Sequence, residues 1–174
     1  EIVLGFLQDN QDAKGIVINL QNNTGGDMGP MVTSVSPLLP DGEILFFETK
    51  NNEYPVLLED GRVLGGGTEI VTDIQHFKLQ VPVALLTNKM TASSAEALTM
   101  TFIDLERVKT FGQSTAGYAS ANVPYPLFDG AIMFLTTAFN KTPHGQIFYE
   151  EPIPVDVETD KPLEEAIAWL KNIN

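Results

Sequence analysis

Two short apolar runs, Gly15 to Leu20 (GIVINL) and Val81 to Thr87 (VPVALLT), each end in turn-forming residues, and each is followed by apolar residues at helical spacing. Such runs are too short for helices of ordinary length, and the first is rich in β-branched side chains, so both read as strands buried on both faces. After the first comes the turn cluster Gln21 to Gly26, then Met28, Met31, Val32, Val35, Leu38 and Leu39 on a helical stripe that Pro40 closes. After the second comes Asn88 to Ala92, then Ala95, Leu98, Phe102 and Leu105. Strands that each feed a helix predict an α/β fold with a parallel-type core. In such a sheet, sites form beyond the carboxyl ends of the strands, where helix amino termini collect. Thr24 to Asp27 and Thr91 to Glu96 are thereby placed on one rim.

The rest of the chain is read as additions to that core. Residues 1–10 have the pattern of a helix end, and Glu43 to Lys50 with Tyr54 to Leu58 reads as a hairpin turning at Asn51-Asn52. Residues 59–77 look irregular, and Gly65 to Gly67 reads as a flexible loop, because it lacks the Lys-Ser/Thr ending of a phosphate loop. Val108 to Phe111, Asn122 to Phe128 and Ala131 to Thr137 are further strands, the last two joined at Asp129-Gly130. A closing helix capped by Asp160 starts with Pro162 and is expected to bury Leu163, Ala166, Ile167 and Leu170. With no linker or repeat, 174 residues of which 43% are hydrophobic predict one domain over 1–174.

Ten basic against twenty-three acidic residues leave a net charge of −13. Without clustered Lys and Arg, nucleic acid is excluded as a partner. There is no cysteine, hence no disulfide, thiolate nucleophile or thiolate zinc site. No helix is expected to carry paired acids with a histidine at ligand spacing, so neither a metal nor a cofactor is predicted.

Ser93 is the first candidate for chemistry. It stands at the mouth of the helix that follows a buried strand, where unpaired backbone N–H groups favour a developing negative charge. The same residues also fit a plain helix cap, since Ser93 and Glu96 have the spacing of a capping box. Gly25 and Gly26 could bring backbone donors close to a bound carbonyl, or could serve only as a tight turn. A serine nucleophile needs a base. His76 and His144 both read as loop histidines away from the rim.

Taken in order, these motifs resemble the tail-specific, or C-terminal-processing, serine peptidase family. The segment GIVINLQNNTGG (15–26) is similar to that family's strand and glycine loop, and VPVALLT (81–87) with TASSAE (91–96) to its nucleophile segment. Thr110 to Tyr118 resembles the following strand and turn. Asp129 to Gly145 and Pro152 to Asp156 resemble the closing strands. Within the family, NNTGG, TASSAE and Tyr118 to Asn122 are most similar to the nisin-resistance-protein branch, which cleaves a peptide antibiotic at the bacterial surface.

The resemblance implies a crotonase-like (ClpP/crotonase) core of strand-strand-helix units with added hairpins. It implies Ser93 as nucleophile, an oxyanion hole from the backbone N–H groups of Gly25, Gly26 and Ser94, and a role for Glu96 in orienting an incoming imidazole. It further implies a peptide or protein substrate and a bacterial, extracellular or cell-surface location, with membrane anchoring of a longer parent left open. The Ser/Lys branch of the family carries its base 25 positions after the nucleophile, where this chain has Tyr118. The nisin-resistance branch takes a histidine from upstream of the strand and glycine loop. The expectation is thus a serine endopeptidase core, a fragment of a longer protein, silent without its base. A non-catalytic peptide or small-ligand binding module on the same fold is the rival reading.

Overall fold

The computed structural model describes residues 2–173. Its centre is a four-stranded parallel sheet made of β1 (Ile16–Asn19), β5 (Val83–Thr87), β6 (Val108–Gly112) and β9 (Val157–Glu158), in the order β1-β5-β6-β9. β5 is buried along its whole length, as a continuous apolar run between two neighbours requires. β1 is only half-buried, because it is the edge strand and pairs with β5 alone. The expectation of burial on both faces therefore holds for the second run and fails for the first.

The hairpins do not extend that sheet. β2 (Gly42–Glu48), β3 (Glu53–Glu59), β4 (Arg62–Leu64), β7 (Ser120–Pro126) and β8 (Ile132–Lys141) form a second, antiparallel sheet in the order β4-β3-β2-β8-β7. Its centre joins β2 to β8, strands far apart in the chain, through pairs such as Phe47 with Asn140. Lys141 fastens this junction by salt bridges to Glu48 and Glu53, and its ammonium stays charged well up the pH scale, held by its hydrogen bond to Glu53. One core fills the space between the sheets. It includes Val32, Leu38, Leu45, Leu58, Leu85, Leu98 and Phe102, each 0–1% exposed. The whole arrangement is a mixed α/β fold with one parallel and one antiparallel sheet.

The helices are shorter than their apolar stripes predict. α1 (Ile2–Asp9) buries Leu4 and Leu7. α2 (Met28–Thr33) stops before a separate 3-10 turn at Ser36–Leu38, since Pro37 has no N–H with which to continue the α ladder. α3 (Ser94–Met100) frays into turns where Thr99 and Thr101 hydroxyls donate back to the carbonyls of Ala95 and Leu98. α4 (Pro162–Asn172) begins after Lys161, which stands at the cap position in place of Asp160 and makes no side-chain cap bond.

α4 also turns differently from the expectation. Leu163 and Ile167 are 50% and 39% exposed, whereas Ala166, Trp169 and Leu170 pack on Val17, Phe111 and Val157 of the parallel sheet. The Trp169 ring meets Phe111 with centroids 5.8 Å apart. Residues 59–77 are less irregular than they look, since Arg62–Leu64 pairs with β3 and the glycines after it are packed. A methyl group on Gly66 would lie 2.6 Å from Met28 and Val56 side-chain carbons. Among the described residues, no helix is long and apolar enough to cross a membrane.

Candidate active site

β1 and β5 run side by side and parallel, so the loops leaving their carboxyl ends leave on the same rim. Those loops are stitched together. Asn22 and Asn88 exchange two bonds, Asn22 N–H to Asn88 Oδ1 and Asn88 Nδ2 to Asn22 Oδ1, both 3.0 Å. The Thr91 hydroxyl donates to the Leu20 carbonyl at 2.9 Å, and Ala92 N–H donates to the Asn23 carbonyl at 3.0 Å. The glycine turn is thereby pressed against the start of α3. A methyl group on Gly25 would lie 2.7 Å from the Ser93 Cβ and 2.9 Å from the Ala92 carbonyl oxygen. Only a glycine fits there, and its φ of +101° favours glycine as well.

Ser93 itself has φ +56° and ψ −121°, the first central position of a type II′ turn, which side-chain-bearing residues rarely occupy. An ordinary N-cap has extended dihedrals and accepts a bond on its side chain. Ser93 lacks the extended dihedrals, although Glu96 closes a capping box onto its backbone N–H. The turn places Ser93 on the wall of an open cleft of about 750 Å³. Gly26, Asp27 and Ser94 line the same cleft from the two loops, and Phe47, Asn122 and Asn140 line it from the antiparallel sheet.

Of the three expected oxyanion donors, the structure separates one from the others. Gly25 N–H donates to Asn23 Oδ1 at 3.0 Å and so faces its own turn. The N–H groups of Gly26 and Ser94 have no hydrogen-bond partner among the described residues, and both residues border the cleft beside Ser93. The Ser94 hydroxyl donates to the Gly26 carbonyl at 2.6 Å, which fixes the two donors relative to each other.

Glu96 is fully buried and its two oxygens accept four hydrogen bonds. Oε1 takes the Thr115 hydroxyl at 2.5 Å and Gly117 N–H at 2.8 Å; Oε2 takes Ser93 N–H at 2.9 Å and Tyr118 N–H at 2.7 Å. None of these donors is an imidazole. The carboxylate that the sequence placed beside an incoming histidine is instead spent on holding the Ser93 turn against the segment after β6.

Neither histidine lines the cleft. His76 Nε2 lies 3.7 Å from Asp41 Oδ2, while His144 Nδ1 lies 2.9 Å from Asp104 Oδ2 and is largely exposed. Asp27 is the cleft's one charged side chain, and its Oδ1 accepts Thr68 N–H at 2.9 Å and Gly29 N–H at 3.2 Å. The Thr68 hydroxyl and N–H, then Gly29, hold its carboxyl below the ordinary aspartate value. It is thus ionised near neutrality, with too little basicity to deprotonate a serine. The run Gly65 to Gly67, expected to be a flexible loop, supplies part of this wall: a methyl group on Gly67 would collide with Asp27 Oδ1 at 2.3 Å.

The model of peptidase family S41 matches residues 3–159. The chain belongs to that family. Among S41-type relatives, the nisin-resistance protein of Lactococcus lactis subsp. lactis is 36% identical over 160 residues, 91% of this chain and 50% of that protein. The carboxy-terminal processing protease CtpA of Bacillus subtilis is 25% identical over 155 residues, 88% of this chain and 30% of that protein. Among solved structures, a lipoprotein from Streptococcus agalactiae superposes with a TM-score of 0.85 at 32% identity, covering 99% of this chain and 59% of that one. The photosystem II D1 C-terminal processing protease shares the fold, with a TM-score of 0.68 at 24% identity, over 91% of this chain and 38% of its own. This S41 chain therefore spans half or less of the length of those two curated relatives.

Proposed function

We propose that this chain is the core domain of a serine endopeptidase that cleaves an extended or C-terminal peptide segment through an acyl-enzyme on Ser93. One observation carries the reading. Ser93 is held in a strained turn at the mouth of a cleft, with the unpartnered N–H groups of Gly26 and Ser94 beside it. A glycine-like conformation on a serine costs about 1–3 kcal/mol. The Glu96 bond and the Gly25 contact hold the turn in spite of that cost, and strained strand-to-helix turns present the nucleophile in other serine hydrolases.

In the proposed reaction the Ser93 Oγ attacks the scissile carbonyl carbon, and its proton passes to a base. The carbonyl oxygen becomes an oxyanion that accepts from Gly26 and Ser94, where preorganised donors are worth about 10²–10³ in rate each. The C–N bond then breaks, the amine leaves with the proton, and water releases the acyl group. With Asp27 too weakly basic and both histidines turned elsewhere, the base comes from outside residues 1–174, and this chain alone is silent. The crotonase-like description fits the strand-loop-helix units around β1 and β5, with the second sheet as the added hairpins.

The nisin-resistance relative supports a peptide antibiotic as substrate, and together with the streptococcal lipoprotein it supports work at the bacterial surface. The absence of a base in the cleft favours one rival, a peptide-binding module that does no chemistry. A fluorophosphonate probe, applied to the chain within its full-length protein, tests between them. Labelling that disappears in Ser93→Ala supports the peptidase, and no labelling with intact peptide binding supports the module. Cleavage of nisin by the full-length protein tests the substrate.

A further inference from the structure

Asn140 is one of the polar groups of the cleft that the chemistry above leaves unused, and its side chain is the buried one without a partner. It lies in β8 opposite Phe47 and is 2% exposed. Its backbone is fixed by the sheet, and its N–H donates to the Ala119 carbonyl at 3.1 Å. The side chain is another matter, for Asn140 Oδ1 is buried and has no hydrogen-bond partner. Buried carbonyl oxygens in folded proteins are nearly always paired, and one left alone is costly.

Other unpartnered buried atoms do not share its position. Asp104 Oδ2 meets the His144 ring, Arg107 donates through Nη2 to the Leu38 carbonyl, and Thr33 does not border the cleft. Asn140 alone among them lines the cavity that holds Ser93. The wall around it is mostly apolar, with Met28, Phe47, Pro124 and Phe134. A largely apolar cleft with a few convergent polar groups is the ordinary form of a ligand site.

We propose that Asn140 is a substrate-binding residue, whose carboxamide pairs with a backbone amide of the peptide lying in the Ser93 cleft. The inference rests on the peptidase reading above and names what that site grips. A carboxamide offers one acceptor and one two-hydrogen donor, which match the N–H and C=O of an extended chain. A cationic side chain has the Asp27 carboxylate to pair with in the same cleft, and an aliphatic one would leave the Asn140 oxygen unpaired. Because peptide amides occur at every residue, the grip is for extended polypeptide, with side-chain choice left to the apolar walls and to Asp27.

The test is binding of fluorescein-labelled casein, an extended polypeptide, to the full-length protein carrying Ser93→Ala, read by anisotropy. Adding Asn140→Leu, similar in size and without polar atoms, should weaken binding about tenfold while the melting temperature holds or rises, since an unpaired group has been removed. Unchanged affinity in a variant that melts normally overturns the proposal, as does failure of casein to bind the Ser93→Ala protein at all. Should Asn140→Leu not fold, Asn140→Ala, smaller and likewise without polar side-chain atoms, provides the comparison. Fluorophosphonate labelling of the unmodified protein is scored separately. Labelling without casein binding removes Asn140 and keeps the serine chemistry, and casein binding that depends on Asn140 without labelling does the reverse.

Discussion

Ser93 and Tyr118 donate their backbone N–H groups to the same oxygen of Glu96, at 2.9 and 2.7 Å. One buried carboxylate thus sets both the turn that presents the hydroxyl and the strand entry that follows β6. Glu96→Gln keeps the shape but replaces an acceptor with an NH₂ group facing donors. Each unpaired buried donor costs about 1–3 kcal/mol, so the loss should reach several kcal/mol, with a lowered melting temperature and slower acylation of Ser93. A Glu96→Gln protein that melts like the parent sequence would show that the four bonds are not holding the turn.

Gly25 and Gly26 should respond differently to an added methyl group. In Gly25→Ala it would meet the Ser93 Cβ and the Ala92 carbonyl, on a backbone with φ +101°. Displacement of Ser93 and a rate loss of at least about 10²-fold are expected. In Gly26→Ala nothing lies within 4 Å, so the cost comes from φ +137° alone. Thermal melts of both variants beside full-length turnover separate clash from strain.

Asp27 supplies a pH dependence. Its folded carboxyl lies below the ordinary value near 3.8, so the ionised form is favoured by folding. That stabilisation is present above the unfolded pKa and is lost as pH falls through the folded one. Asp27→Asn should therefore melt below the parent protein at pH 6, with the gap closing toward pH 3. A gap that stays constant across that range would assign the difference to packing.

Trp169 is the chain's single tryptophan and stacks obliquely on Phe111 of β6, which is separated from β1 by β5. Trp169→Ala should cost about 3 kcal/mol, toward the lower end for large aromatic deletions because the ring is only partly buried. Fluorophosphonate labelling of Ser93 measured below the lowered melting temperature should be unaffected.

Much of the site could be read from sequence because it is built from local signals. The apolar runs before Gln21 and Asn88, the turn residues after them and the stripe starting at Ala95 place Ser93 and Gly26 on one rim without knowledge of the rest. What stayed hidden depends on pairings between distant segments. Nothing near Asn140 announces that β8 lies beside β2, and the loop look of Gly65 to Gly67 conceals their packing on Asp27 and Met28. Glu96 was found for its spacing from Ser93, yet its occupation depends on Thr115, Gly117 and Tyr118, which only the closed fold brings to it. The exposure of Leu163 and Ile167 came from helical phase, since an amphipathic pattern does not say how far a short helix rotates on its sheet.

The dihedrals of Ser93 bear on how such a protein can change over generations. A glycine at 93 would relieve the turn's strain and lose only the hydroxyl, so a library screened for heat resistance alone should enrich Ser93→Gly. If Ser93 is the proposed nucleophile, serine at this position is kept by selection on the reaction, because the folding of this turn does not ask for it. Descendant lines released from that selection would be expected to change here first, gaining stability as they did so.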